Sequence, residues 1–347
     1  MATLPNRVGG PAASRRLALR NPLTLVRDQV QRPATRRKVS MVGGELVVDG
    51  RRLAYTLSDN EDACGPDGLG SAPIWAVNLH GYFAGGAMYS RESARLAERF
   101  GWRVLNPSLP GFGGSDPLPW GAISMTTLTE EVERLLGHVG AGPAVVLGHS
   151  MGGAVAVEFA RRNLQRTLGI VYRDGVATPA WKERRGIIPF LLSPILPDVA
   201  PMADLMAAIV LDAPDLLLGQ VISTLRSMAP DFRQNMRTMG RTAPVGSMLM
   251  TVDQRPEVTW LGQTGLPLLA EWGCFDRVAT PAAAKEFSDC AGTPIQWLPG
   301  GHSWMLARPR GQSDVFEHLP TGRDFVERVE ERWRSLVSGA PVLEAVN

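Results

Sequence analysis

A serine flanked on both sides by glycines is the feature that most constrains how this chain can fold. Ser150 follows the apolar residues 144–147, with Gly148 two positions before it and Gly152 two positions after it. A continuous apolar run of this kind is typical of a strand that is covered on both faces. Where such a strand turns directly into a helix, the turn residue is strained and its neighbours must lack bulk. The spacing therefore predicts a sharp strand-to-helix turn that lifts the serine hydroxyl clear of a sheet.

Strand-like and helix-like segments alternate along most of the chain, which predicts a mostly parallel, doubly wound α/β sheet with helices on both faces. Thr127 and Glu130 have the spacing of a capping box and are expected to open one of the helices. A long loop is expected over 307–322. The predicted strands cover 45–48, 51–55, 74–79, 103–106, 144–147, 167–172, 266–272 and 294–298, and the predicted helices cover 90–100, 127–136, 154–162, 282–289 and 323–337.

Residues 177–262 interrupt this alternation with frequent prolines and long apolar helical stretches, and they show no strand pattern. They are inserted after a strand, at the edge of the sheet where ligands bind in such folds. We therefore expect residues 177–262 to form a helical cap over the site. The α/β core is then built from residues 39–176 and 263–347.

Residues 1–38 form a predicted flexible, basic arm. Residues 1–40 hold eight Arg and one Lys against one Asp, a charge of +8, so the whole-chain charge of +2 leaves −6 on the remainder. A basic arm on a mildly acidic body indicates a weak membrane-surface contact or a solvated tail, and not a nucleic-acid-binding core.

Composition narrows the class of protein further. No apolar run is long enough to span a bilayer, and the N-terminus lacks the pattern of a secretory signal. The three cysteines, Cys64, Cys274 and Cys290, have neither the number of a disulfide framework nor the spacing of a metal site. We expect a cytoplasmic protein that uses no metal and no cofactor.

A serine hydroxyl needs a base to take its proton at neutral pH. One histidine is the candidate base, and two aspartates are candidates for the acid that orients it. His302 follows the last predicted strand directly, which places it at the same edge of the sheet as Ser150. The base in turn needs a carboxylate that fixes its tautomer. Asp276 follows the penultimate strand, and Asp174, which follows the strand after the serine, is its rival. The chain order Ser150, Asp276, His302 favours Asp276.

The oxyanion that forms during acyl transfer needs fixed N–H donors. The backbone N–H groups of Met151, at the start of the helix, and of Tyr82, in the loop after the strand 74–79, are the predicted pair. His80 precedes Gly81 at the end of that strand and is expected to brace this loop. His149 lies inside the serine turn, and its side chain is expected to point away from the path of the serine.

Five motifs in chain order resemble the α/β-hydrolase fold superfamily, in particular its cap-bearing serine hydrolases of the esterase and lipase type, over residues 45–337. The motifs are His80-Gly81-Tyr82, residues 106–115, residues 148–152, residues 272–276 and Gly301-His302. The resemblance implies the fold, the triad and the absence of a cofactor. Epoxide hydrolases and haloalkane dehalogenases of this superfamily carry an aspartate where this chain has Ser150, which argues against both activities. The chain departs from many relatives at Ser108, where they carry an aspartate.

The sequence thus predicts a serine hydrolase of small-molecule carboxylic esters. The apolar cap indicates an apolar or lipid-like acyl group, with Leu191 and Leu192 in the pocket wall and Trp304 near its floor. A carbon–carbon bond hydrolase, a thioesterase and a haloperoxidase-like esterase use the same triad and remain alternatives. A non-catalytic binding protein on this fold is the alternative from another class, and the intact triad speaks against it.

Overall fold

The computed structural model describes residues 39–60, 63, 65–67, 71–182, 229–235 and 237–338. Its strands are β1 (Val39–Val48), β2 (Arg51–Asn60), β3 (Trp75–Leu79), β4 (Arg103–Pro107), β5 (Ala144–His149), β6 (Thr167–Arg173), β7 (Leu268–Gly273) and β8 (Ile295–Leu298). These strands form one sheet in the order β1-β2-β4-β3-β5-β6-β7-β8. β2 pairs antiparallel with β1 and β4, and every other neighbouring pair is parallel. The predicted α/β architecture is confirmed.

Helices cover both faces of this sheet. They are α1 (Ser90–Phe100), α2 (Met125–His138), α3 (Met151–Arg162), α4 (Met239–Leu249), α5 (Arg255–Gln263), α6 (Pro281–Ala291), α7 (Trp304–Ala307), α8 (Gly311–His318) and α9 (Pro320–Val337). Val145 and Val146, neighbours on β5, belong to two different hydrophobic cores. Side chains alternate between the faces of a strand, so one core lies on each face. Phe159 of α3 belongs to the core that contains Val146. Trp333 of α9 belongs to the core that contains Val145.

The β1–β2 hairpin turns at Asp49 and Gly50, as its Asp-Gly pair predicts. Both residues have a positive φ, 51° and 73° respectively. A tight hairpin turn with this conformation at both central positions matches the right-handed twist of its strands. The turn therefore fixes the register in which Val48 faces Arg51.

The two hairpin strands are longer than predicted, since β1 begins at Val39 and β2 ends at Asn60. Two other local predictions differ from the structure in more than their bounds. Helix α2 begins at Met125 with Ser124 as its N-cap, because the Ser124 hydroxyl accepts from the Thr127 N–H at 3.1 Å and the Thr127 hydroxyl accepts from the Ser124 N–H at 2.9 Å. Thr127 is thus the third residue of the helix and not its cap. The stretch 307–322, expected as a loop, contains helix α8, which packs against α1 and α9 and buries Val315 and Phe316.

The described part of the insertion contacts both the loops at the carboxyl edge of the sheet and the body. The Tyr82 hydroxyl donates to the carbonyl of Thr242 on α4 at 3.0 Å. Helix α5, which falls within the expected cap range, packs against α3 and α6. Leu191 and Leu192 lie outside the described residues. Within the described ranges, each helix is too short or too polar to cross a lipid bilayer.

Candidate active site

Ser150 occupies the sharp turn between β5 and α3. Its backbone adopts φ 54° and ψ −117°, a conformation that is costly for a residue with a side chain. A Cβ atom at Gly152 would overlap the carbonyl oxygen of Leu79, and one at Gly148 would overlap the carbonyl oxygen of Gly152. Gly148 is therefore required by the close crossing of β5 and α3, which is the reason predicted from the spacing. Gly152 is required because α3 also lies close to the end of β3.

Backbone hydrogen bonds from the next strand hold this strained turn. The Ser150 N–H donates to the carbonyl of Arg173 at 3.0 Å, and the Val176 N–H donates to the carbonyl of Ser150 at 3.3 Å. The turn is thus fixed on both sides by β6 and the residues that follow it.

Asp276 and His302 meet at the same edge, as the chain order predicts. The Asp276 Oδ2 atom lies 2.9 Å from the Nδ1 atom of His302, and both side chains are buried. The other oxygen, Oδ1, accepts from the backbone N–H groups of Val278 at 2.6 Å and Ala279 at 2.9 Å. The carboxylate is therefore held in place by backbone donors while it orients the imidazole.

His149 fastens the serine turn to the histidine loop, a role that the sequence analysis missed. Its Nε2 atom donates to the backbone carbonyl of His302 at 2.7 Å, and its Nδ1 atom accepts from the Tyr89 hydroxyl. Burial holds the pKa of His149 well below its usual range, so the ring is neutral and keeps this tautomer. The residue before Ser150 thus sets the position of His302.

Asp174 is a second buried acid beside the Asp276–His302 pair. Its Oδ1 atom accepts from the Gly273 N–H at 2.7 Å, and its Oδ2 atom accepts from the Trp304 indole N–H at 2.8 Å. Burial, together with the charge of Asp276, raises the pKa of Asp174 well above its usual range. The raised pKa favours the protonated form of Asp174, and Asp276 is the acid whose oxygen contacts His302.

Asp174, Asp276 and His302 each place a nitrogen or oxygen atom within 4.8 Å of the other two, a separation that a metal ion could bridge. However, Asp276 binds His302 and two backbone N–H groups, and Asp174 binds a backbone and an indole N–H group. These hydrogen bonds favour a proton-sharing cluster over a cation site. Trp304, expected near the floor of a substrate pocket, is buried with its indole N–H committed to Asp174.

The loop after β3 brings Tyr82 to the serine turn. A Cβ atom at Gly81 would lie 3.2 Å from the Cβ atom of Ser150, so the two segments touch. Among the described residues, none accepts a hydrogen bond from the backbone N–H of Tyr82 or Met151. Within the part of the chain that the structure describes, the predicted pair of donors therefore lies beside the serine turn without an acceptor.

His80 braces this loop, which confirms the role predicted for it. Its Nε2 atom accepts from the Leu109 N–H at 2.9 Å, so its Nδ1 atom carries the proton and donates to the Gly81 carbonyl at 2.8 Å. Burial lowers the pKa of His80 to about 4, so the ring stays neutral at physiological pH. His80 thus joins the loops after β3 and β4 without taking part in proton transfer.

Comparison with known proteins agrees with this geometry. A family model described as the alpha/beta hydrolase family matches residues 79–315. The chain belongs to the alpha/beta hydrolase family. This hydrolase is 26% identical, over 70% of its length and 86% of the relative's, to a putative non-heme haloperoxidase of Mycobacterium phage D29. It is 28% identical, over 60% of its length and 77% of the relative's, to the AB hydrolase superfamily protein YisY of Bacillus subtilis.

Solved structures show the same fold. A thermophilic esterase from Thermogutta terrifontis superposes with a TM-score of 0.59 at 19% identity, covering 83% of this hydrolase and 99% of the esterase. The enol-lactonase from Burkholderia xenovorans superposes with a TM-score of 0.55 at 22% identity, covering 82% of this hydrolase and all of the lactonase. At these identities the likeness establishes the shared architecture, and the chemistry must be argued from the side chains.

Proposed function

We propose that this hydrolase cleaves carboxylic esters through an acyl-enzyme formed on Ser150. The observation that carries the proposal is the buried Asp276–His302 pair, whose histidine is fastened through His149 to the turn that bears the serine. A neutral imidazole oriented by a carboxylate is the base that a serine nucleophile requires.

In the proposed mechanism, the Nε2 atom of His302 takes the proton of the Ser150 hydroxyl as Oγ attacks the ester carbonyl. Asp276 stabilises the imidazolium, and the N–H groups of Tyr82 and Met151 bind the oxyanion of the tetrahedral intermediate. The imidazolium then returns its proton to the leaving alcohol, and the acyl group stays on Oγ. A water molecule, deprotonated by the same histidine, attacks the acyl-enzyme. The bond from the acyl carbon to Oγ breaks, the imidazolium returns the proton to the Ser150 Oγ, and the acid is released.

Labelling by a fluorophosphonate probe tests this mechanism directly, because the probe phosphonylates an activated serine. The wild-type protein should be labelled and should hydrolyse p-nitrophenyl acetate. Ser150→Ala should lose both properties while its melting temperature stays close to that of the wild type. Ser40→Ala, which removes an exposed hydroxyl of β1, is the matched control. Full ester hydrolysis by a purified Ser150→Ala variant would rule the mechanism out.

We further propose that residues 177–262 act as a cap and that the substrate carries an apolar acyl group. The apolar composition of this segment supports the proposal, as does the aromatic cluster of Tyr82, Phe83 and Phe112 beside the serine turn. Each buried methylene adds up to about 0.8 kcal/mol of binding until the pocket is full.

A series of p-nitrophenyl esters of increasing acyl length tests this second proposal. The value of kcat/KM should rise with chain length and pass through a maximum. Leu191→Asp or Leu192→Asp should reduce activity on long-chain esters more than on acetate. A steady fall in kcat/KM from acetate upward would instead point to small polar substrates.

The relative named as a putative non-heme haloperoxidase supports a haloperoxidase-like activity as a second candidate at the same site. Peroxide-dependent halogenation by the wild type, absent from Ser150→Ala, would support it. Hydrolysis without halogenation would exclude the haloperoxidase-like activity and would leave the esterase activity as the remaining proposal.

A further inference from the structure

Asn235, in the helical residues 229–235 of the insertion, binds the loop that carries Tyr82. Its side chain is fully buried, and its Nδ2 atom donates to the carbonyls of Phe83 at 2.8 Å and Ala84 at 2.9 Å. Its Oδ1 atom accepts from the Gly113 N–H, in the loop after β4, at 3.1 Å. One side chain of the insertion therefore satisfies three backbone groups of two loops beside the serine.

The loop held by Asn235 is strained at the residue after Tyr82. Phe83 has a φ of 64°, a left-handed conformation that a bulky side chain rarely adopts. The Ala84 N–H donates to the Gly81 carbonyl at 3.1 Å, so Phe83 is the third residue of a turn that begins at Gly81. Glycine or asparagine is usual where the third residue has a positive φ. A strained backbone of this kind persists only where surrounding contacts determine it.

Further contacts join the insertion to the loop that carries Tyr82. The Met88 N–H donates to the Oδ2 atom of Asp231 at 3.2 Å, and a Cβ atom at Gly85 would lie 2.6 Å from that same oxygen. The Tyr82 hydroxyl reaches the carbonyl of Thr242 on α4. The insertion thus contacts the loop within and after the strained turn, and Asn235 binds the carbonyls of the strained residue and its successor.

We propose that Asn235 is a positioning residue for the oxyanion site: its side chain holds the strained turn so that the Tyr82 N–H points at the substrate. The proposal rests on the esterase mechanism above. Its chemical consequence is that the insertion contributes to transition-state stabilisation as well as to substrate binding. The ester in its ground state is bound by other surfaces, so the contribution of Asn235 belongs in kcat and not in KM.

The decisive variant is Asn235→Ala, assayed on p-nitrophenyl acetate with a boronic acid as the tetrahedral analogue. Removal of an oxyanion donor typically lowers kcat by about 10² to 10³-fold. Displacement of the donor should lower kcat by about 10- to 100-fold, with KM changed by less than about threefold. Affinity for the boronic acid should fall by the same factor as kcat. Gln234→Ala, which removes an exposed amide from the same helical segment, should change neither quantity.

Asn235→Asp provides a second variant if the alanine protein does not fold, because it removes both donors at nearly constant volume. An unchanged kcat in a folded variant would overturn the proposal, as would a lower kcat with unchanged affinity for the boronic acid. Failure of both variants to fold would also overturn it, by assigning Asn235 to stability alone. Failure of the esterase mechanism is distinguishable, since wild-type protein would then resist fluorophosphonate labelling.

Discussion

Two buried polar regions of this hydrolase use similar residues in opposite ways. We call the first the serine edge, which consists of Tyr82, Ser150, Met151, Asp276 and His302. The second, the closed network, lies across β3, β6 and β7 and consists of Asn78, Glu92, Arg173, Glu271 and Gln312. Strand β6 supplies Arg173 to the closed network, and the next residue, Asp174, lies beside the serine edge. Strand β6 ends at Arg173, and Asp174 follows it with a φ of 46°, outside the strand.

The closed network satisfies most of its groups internally. Arg173 lies 2.6 Å from both Glu92 and Asn78, and the Asn78 amide donates to the second Glu92 oxygen at 2.7 Å. Gln312 donates to Glu271 at 2.8 Å. At the serine edge, two backbone N–H groups have no acceptor among the described residues. The comparison teaches that buried polar groups serve the fold where they bind one another, and serve chemistry where donors are left for a substrate.

The largest expected effect comes from Asp276→Asn, which acts on the serine edge alone. The asparagine amide holds the imidazole in the wrong tautomer, so kcat should fall about 10⁴-fold while the melting temperature changes little. Asp174→Asn is the matched control, because Asp174 is buried beside the same pair while its two oxygens accept from Gly273 and Trp304. Its kcat should fall about tenfold or less through loss of the contact to Trp304. A reversal of the two effects in steady-state kinetics would mean that the acid is Asp174.

The next prediction concerns the stability of the closed network and uses the variant Arg173→Ala. Removal of one partner leaves Glu92 buried without its ion pair, which typically costs about 3–5 kcal/mol of unfolding free energy. Urea denaturation at pH 7 measures this loss. Arg95→Ala breaks a partly exposed pair with Glu98 and should cost no more than about 1 kcal/mol. Equal losses in the two variants would contradict the assignment of the network to stability.

The last expected effect concerns the pH dependence of the closed network. Burial raises the pKa of Glu271 from about 4.5 to about 8, so the folded state keeps a proton that the unfolded state releases between these values. The contribution of Glu271 to the free energy of unfolding is therefore fully present below pH 4.5 and is lost as the pH rises towards 8. Glu271→Gln keeps an acceptor for Gln312 and should remove this loss.

The melting temperature of Glu271→Gln should consequently exceed that of the wild type by a margin that widens from pH 5 to pH 8. Glu45→Gln, at an exposed position on β1, should leave the pH profile of the wild type unchanged. A constant difference between Glu271→Gln and wild type across this range would show that Glu271 is ionised in the fold.

The sequence predicted the sheet and the residues that follow its strands, because these signals are local. The glycine spacing around Ser150 and the strand ends before Asp276 and His302 are visible without a structure. The hydrogen bond from His149 to the carbonyl of His302 joins residues that are 153 positions apart in the chain. Asn235 binds partners more than 120 residues away. Contacts between residues so far apart in the chain leave no periodic pattern in the sequence. Asn78 and Glu271, polar residues inside apolar strands, were the visible signal of the closed network.

The two hydrogen bonds that join Ser150 to Arg173 and Val176 also bear on when the chain becomes reactive. A strained turn needs its surroundings to hold it, so a nascent polypeptide that ends before residue 176 lacks the contacts that shape the nucleophile. The base of the proposed mechanism, His302, follows later still in the chain. Because domains emerge from the ribosome N-terminal end first, a chain that has exposed Ser150 but not yet His302 would lack the base that the proposed mechanism requires.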